Sequence, residues 1–110
     1  PAHAIALAKR ARSANPLSID PILVQALGEE VRRRPRFQLG LLEKATRVQP
    51  DNKEGWFRLG DFWLNQRNCP RRALPAFERV VTLDPQARPS QGGDQYRRAL
   101  RLVNSGKPNC

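Results

Sequence analysis

The sequence predicts an all-α protein built as a solenoid of antiparallel helix pairs. Three observations carry this expectation. Segments closed by proline recur, "ALAKRARSANP" (6–16), "GLLEKATRVQP" (40–50) and "PAFERVVTLDP" (75–85), and their last prolines stand at 16, 50 and 85. Between them lie second amphipathic patterns, Ile22–Val31 and Trp56–Leu64, so each unit holds two helices. Pro21, Pro35 and Pro70 fall at first-turn positions, where a missing N–H costs little.

In order, six helices are expected, near 2–14, 19–33, 36–48, 53–66, 70–83 and 94–104. Residues 1–16 read as the second helix of a truncated repeat, with Ala4, Ala8 and Ala11 on its small-residue face before Pro16. Residues 17–50 form the next repeat, with Leu42 and Ala45 well placed in its second helix. Residues 51–85 form the repeat that follows, in which Pro75 is a misfit that predicts a kink or a late helix start. In the segment 86–110, "QARPSQGG" breaks the pattern; Asp94 then caps a terminal helix that ends at Gly106 and covers the exposed end of the stack. The 110 residues read as one domain. Because the chain starts without Met and inside a repeat, it is expected to be a piece of a longer polypeptide.

The stretch "GWFRLGDFW" (55–63) concentrates the aromatic residues: Trp56, Phe57, Phe62 and Trp63. On a helix Trp56, Leu59, Gly60 and Trp63 share one face by i, i+3, i+4, i+7 spacing. Gly60 lets a partner helix approach, and the aromatic side chains fill the gaps beside it. This is a packing signature rather than an aromatic box for a cofactor. Read as W-x2-L-G-x2-W, then A-x3-F (Ala73, Phe77), then Pro85, it resembles the tetratricopeptide repeat signature. A Trp stands where that family has Tyr, and one residue is added near Asn68–Cys69. Ile22, Ala26 and Pro75 depart from the family's pattern.

The formal charge is +10, carried mostly by arginine. The arginines are scattered, which fits solvated helix faces. One dense run, "RRRPR" (32–36), reads as a helix–helix corner because Pro35 disfavours helix at Arg34. With mean hydropathy −0.65, no apolar run approaches the ~18 residues of a membrane span. The start of the chain lacks the charged region of a signal peptide.

Catalytic chemistry finds little footing. The single histidine, His3, has no Cys or carboxylate at ligand spacing, so no metal set is expected. Glu29 and Glu30 are adjacent and point apart on a helix, and no phosphate-binding or nucleophile motif appears. Neither a metal nor a small-molecule cofactor is expected.

Cys69 sits at the corner between the fourth and fifth helices, and Cys110 ends the chain. Antiparallel neighbours bring the end of the sixth helix back to that corner, which favours a disulfide and an extracytoplasmic home. The alternative is two unrelated thiols in a reducing cytoplasm.

Together, "NPLS" (15–18), "QPDN" (49–52), "RNC" (67–69), "LDP" (83–85), "GG" (92–93) and the tail "VNSGKPNC" (103–110) resemble one bacterial group. It is the soluble C-terminal tetratricopeptide region that follows the membrane spans of O-antigen ligase/polymerase-like proteins. The resemblance implies a non-catalytic module on the extracytoplasmic face of a membrane, with glycan transfer carried out by the membrane part.

Two functions are expected in competition. The first is a protein- or peptide-binding scaffold, whose concave face would carry Leu23, Leu27, Glu30, Glu54, Phe57, Arg58, Asp61 and Leu64. The family's carboxylate clamp needs Lys and Asn where Leu23, Leu27, Phe57 and Asp61 stand, so a chaperone-type peptide tail is not the expected ligand. The second is a polyanion binder (phosphate, anionic lipid, nucleic acid or a lipid-linked glycan) using a basic edge of Arg32, Arg33, Arg34, Arg36, Arg71 and Arg72.

Overall fold

The computed structural model describes residues 18–85, 93–106 and 110. It contains five α-helices: α1 (Asp20–Val31), α2 (Pro35–Val48), α3 (Lys53–Asp61), α4 (Pro70–Leu83) and α5 (Gly93–Asn104). A π-helical turn, Phe62–Gln66, continues α3. No β-strand occurs among the described residues. The helix expected near 2–14 and the segment "QARPSQG" lie outside them. The chain divides between Asp51 and Asn52 into two compact units.

In the first unit, Asp20 and Pro21 occupy the opening turn of α1, and the Asp20 amide donates to Ser18 Oγ at 3.3 Å. An acidic side chain there suits the positive end of the helix. Ile22, Gln25, Ala26 and Glu29 are buried at i, i+3, i+4 and i+7, so one stripe of α1 turns inward. The helix stops at a corner of three arginines, Arg32–Arg34, and α2 then packs against it. Ile19, Ile22 and Ala45 form the core, with Leu23, Leu41 and Val48 packed around them.

In the second unit, Asn52 caps α3: its side chain accepts from the Glu54 amide at 3.0 Å, a contact worth ~1 kcal/mol. The core joins Leu64, Ala73, Phe77 and Ala99, with Phe57, Trp63, Leu74 and Tyr96 against them. Ala99 and Tyr96 come from α5, which packs on α4. Lys53 Nζ and Asp84 Oδ2, 2.5 Å apart, tie the first turn of α3 to the end of α4. Cys69 and Cys110 lie at disulfide-bonding distance, with their Cα atoms 4.9 Å apart.

Two local expectations are corrected. Of the kink or late start expected at Pro75, the late start does not occur: α4 begins at Pro70, as the span 70–83 has it, and runs through Pro75, because Ala73, Ala76, Phe77 and Val80 must all face one core. Asp94 is not a cap: α5 begins at Gly93, and Asp94 stands inside the first turn, where its charge still suits the helix dipole.

The two units repeat one another in backbone detail. Arg33 and Asn68, 35 positions apart, both adopt positive φ, 58° and 54°. Their successors Arg34 and Cys69 match as well, at φ −115°, ψ 75° and φ −119°, ψ 70°. Pro35 and Pro70 then open helices of equal length, 14 residues each. Before the corner the correspondence is one residue shorter: Ile22 and Ala26 pair with Trp56 and Gly60 at 34. The extra residue enters at the π turn. In the first unit the corner amide of Arg34 reaches the carbonyl of Glu29; in the second, the Cys69 amide reaches Trp63, one residue further back. A π turn encloses one residue more than an α turn, so the insertion is absorbed before the corner and not at Asn68–Cys69.

Candidate functional site

The expected interaction face divides between α1 and α3. On α1, Leu27 and Glu30 are exposed, whereas Leu23 is half-buried against the Ile19, Ile22 and Ala45 core. Glu30 Oε1 accepts from Gln38 Nε2 of α2 at 3.3 Å, which holds the carboxylate at the α1–α2 seam. On α3, Arg58 is exposed and donates from Nε to Glu54 Oε1 at 2.8 Å, an i, i+4 pair along the helix. Asp61 Oδ1 accepts from Asn65 Nδ2 at 2.7 Å.

Leu64 does not belong to that face. It is buried in the second core, because it follows Gly60 by four residues and Phe57 by seven and so shares the helix face that meets Phe77. Phe57 is half-buried and is a packing residue too: its ring meets Phe77 edge-on, with centroids 6.2 Å apart. The surface left on α3 is polar and already paired within itself.

The packing signature behaves as the spacing predicts at its centre and more loosely at its ends. Gly60 is buried against Phe77, while Trp56, Leu59 and Trp63 are half-buried. Each tryptophan carries a guanidinium: Arg79 lies 5.5 Å from the Trp56 ring and Arg72 lies 4.9 Å from Trp63.

The basic residues fall into two sets, one in each unit. Arg32, Arg33, Arg34 and Arg36 surround the α1–α2 corner, all exposed. Arg71 and Arg72 are exposed in the first turn of α4. Glu29 is the acidic group nearest the corner set, 3.9 Å from Arg32 Nη1 and 4.0 Å from Arg34 Nε. These contacts lie beyond hydrogen-bond length, and Glu29 is largely buried, so the corner presents positive charge outward.

One feature was read only in part, through Leu27. Val24, Leu27 and Val31 form an exposed stripe at i, i+3, i+7 on α1, and Phe37 at the start of α2 is 63% exposed. The signal was present: α1 is apolar on more faces than one core can take, with Ile22 and Ala26 on one side and Val24, Leu27 and Val31 on another.

A shallow groove of ≈ 590 Å³ runs along α5, lined by Arg97, Leu100, Arg101, Asn104 and Ser105. Among the described residues no three His, Cys, Asp or Glu gather as a metal-binding group, and no helix is long and apolar enough to cross a membrane. No family model matches the chain, and no curated protein matches it in sequence.

Proposed function

We propose that the chain is a non-catalytic interaction module of tetratricopeptide type, the soluble extracytoplasmic part of an O-antigen ligase/polymerase-like bacterial membrane protein. The observation that supports the repeat reading is the recurrence at 35 residues of a helix corner with the same backbone: positive φ at Arg33 and Asn68, then proline opening the next helix. Repeats of this kind line a concave face with their first helices and present it to partners. Here those helices offer Leu27 and Glu30 on α1 and Glu54, Arg58 and Asp61 on α3. The proximity of Cys69 and Cys110 favours an oxidising compartment. Glycan transfer, on this reading, belongs to a membrane portion outside this chain.

A photo-crosslinking amino acid placed at Leu27 or Glu30, with Glu43 on the exposed side of α2 as control, tests the module in its native host. Crosslinks to a discrete protein from the α1 positions alone are expected. Equal capture from Glu43, or none from α1, counts against the reading. Assays of the purified chain for glycosyl transfer and hydrolysis are expected to show no turnover, and activity that survives repurification overturns the non-catalytic assignment.

A second reading rests on a separate observation, the four exposed arginines around one corner. It makes the chain a polyanion binder. On a heparin column a variant with Arg32, Arg33 and Arg34 replaced by Ala then elutes at lower salt than the wild type, because fewer counterions are released.

A further inference from the structure

We propose that the α1–α2 corner docks on an anionic phospholipid surface: Arg32, Arg33, Arg34 and Arg36 bind lipid phosphates while Val31 and Phe37 enter the apolar layer beneath. This rests on the polyanion reading of the corner and names its ligand.

Two large apolar side chains stand in water at this corner. Phe37 is 63% exposed and Val31 is 59% exposed. Val31 is the last residue of α1, and Phe37 lies in the first turn of α2, so they flank the three-residue corner. Apolar groups held beside four guanidiniums need a partner that offers anions and an apolar layer together. An anionic bilayer does so at a fixed depth, phosphates outside and acyl chains within. Arg34 already stacks over Phe37, 5.7 Å from the ring centroid, so its charged head and apolar stem follow the ring toward the headgroups.

Charge points the same way. Two acids stand before the corner, outnumbered by its four guanidiniums: the Glu29 side chain is only 11% exposed, and the Glu30 carboxylate is held at the α1–α2 seam by Gln38. Asp20 stands at the other end of α1, about 16 Å away along the axis. The corner itself is a turn: Arg33 in the left-handed region reverses the chain and makes the arginines and apolar pair its outer rim. Heparin or nucleic acid supplies phosphate or sulfate but leaves Val31 and Phe37 in water. The Phe37 face that a base would stack on is met by Arg34.

The test uses the purified chain in flotation with phosphatidylcholine vesicles, with and without phosphatidylglycerol, at low and high salt. The wild type is expected to float with the anionic vesicles, to stay behind with the neutral ones, and to lose binding as salt rises. Arg33→Asn with Arg36→Gln lowers partitioning about twenty-five-fold, at about fivefold per arginine. Asn tolerates the positive φ at position 33, so the corner keeps its shape. Val31→Ser with Phe37→Ser lowers partitioning about tenfold without removing charge. Circular dichroism melts confirm that each variant is folded.

Absence of wild-type flotation with anionic vesicles overturns the proposal; if heparin still retains the chain, the polyanion reading stands without its lipid. Equal flotation with neutral vesicles, or wild-type flotation by the folded Ser pair, also overturns it. Loss of binding to an acidic peptide in both variants, with vesicle binding unchanged, assigns the corner to a protein partner instead.

Discussion

Gly60 of α3 and Phe77 of α4 touch so closely that a β-carbon on Gly60 would lie 2.7 Å from Phe77 Cε1 and 2.8 Å from Cζ. Phe77 is fully buried, with Leu64, Ala73 and Ala99 around it, so its ring has nowhere to move. The glycine is therefore required by the partner's side chain. It gives up about 1 kcal/mol of helix propensity, and the contact offsets that.

Gly60→Ala is accordingly expected to destabilise the fold by roughly 1–3 kcal/mol, although alanine is the better helix former. Gly60→Leu should cost more, since added bulk forces α3 and α4 apart. Urea melts check both. Wild-type stability in Gly60→Leu would remove Gly60 from the interface.

Pro75 leads to the opposite expectation. It is exposed inside α4, five residues after the first, and lacks the N–H that would reach back to Arg71. Pro75→Ala restores that bond and removes the ring from the preceding turn. The loss of proline's restraint on the unfolded chain opposes the gain by about 1 kcal/mol, leaving a net stabilisation of roughly 1–2 kcal/mol. A thermal melt at or below the wild-type midpoint would show that the helix has adapted fully to the ring.

Much of the fold was legible because helix signals are local. Prolines at 21, 35 and 70 mark the first turns of α1, α2 and α4, and the expected span 70–83 coincides with α4. Gly60 could be read because a glycine amid aromatic residues at helical spacing marks a place where a neighbouring helix comes close. The π turn could not: an extra residue shows in the 35-residue proline spacing, but where the backbone takes it up depends on which carbonyl the corner amide reaches. Leu64 was misplaced because the helix face it shares with Phe57 and Gly60 is the one that meets the core. Of the exposed stripe Val24, Leu27 and Val31 only Leu27 was read as surface: α1 is apolar on several faces, and its sequence does not say which of them a neighbour covers.

The Cys69–Cys110 pair closes a loop with a sequence separation of 41. Cys69 is buried at the N-terminal edge of α4, and its partner holds the chain after α5 to that edge. By chain entropy the bond can stabilise the fold by up to about 4 kcal/mol. Reduction is expected to speed amide exchange in α5 before α4 opens, because α5 loses its covalent anchor while Ala73, Phe77 and Val80 keep α4 packed. Exchange rising equally in α4 and α5 would show that the two helices open as one. Free-thiol labelling of both cysteines, in protein made under oxidising conditions, would remove the bond altogether.

The π turn yields the most direct test of the repeat. If it holds one inserted residue, deleting Gln66 should return the stretch to α-helical spacing. The Cys69 amide would then reach Trp63 over the same interval by which Arg34 reaches Glu29. The corner at Asn68, the proline after it and all of α4 keep their own geometry, because the deletion lies before them. Stability should fall by no more than about 1 kcal/mol, within the range of ordinary single changes. Deleting Glu78 is the control. It is exposed in α4, so little packing is lost directly, but every later residue turns by about 100° and Val80 leaves the core. Circular dichroism melts of the two deletions should differ sharply, with the Gln66 deletion cooperative and the Glu78 deletion largely unfolded. If the Gln66 deletion unfolds as readily as the control, the extra residue is integral to the second unit, and the 34-residue correspondence between Ala26 and Gly60 does not describe one ancestral helix pair.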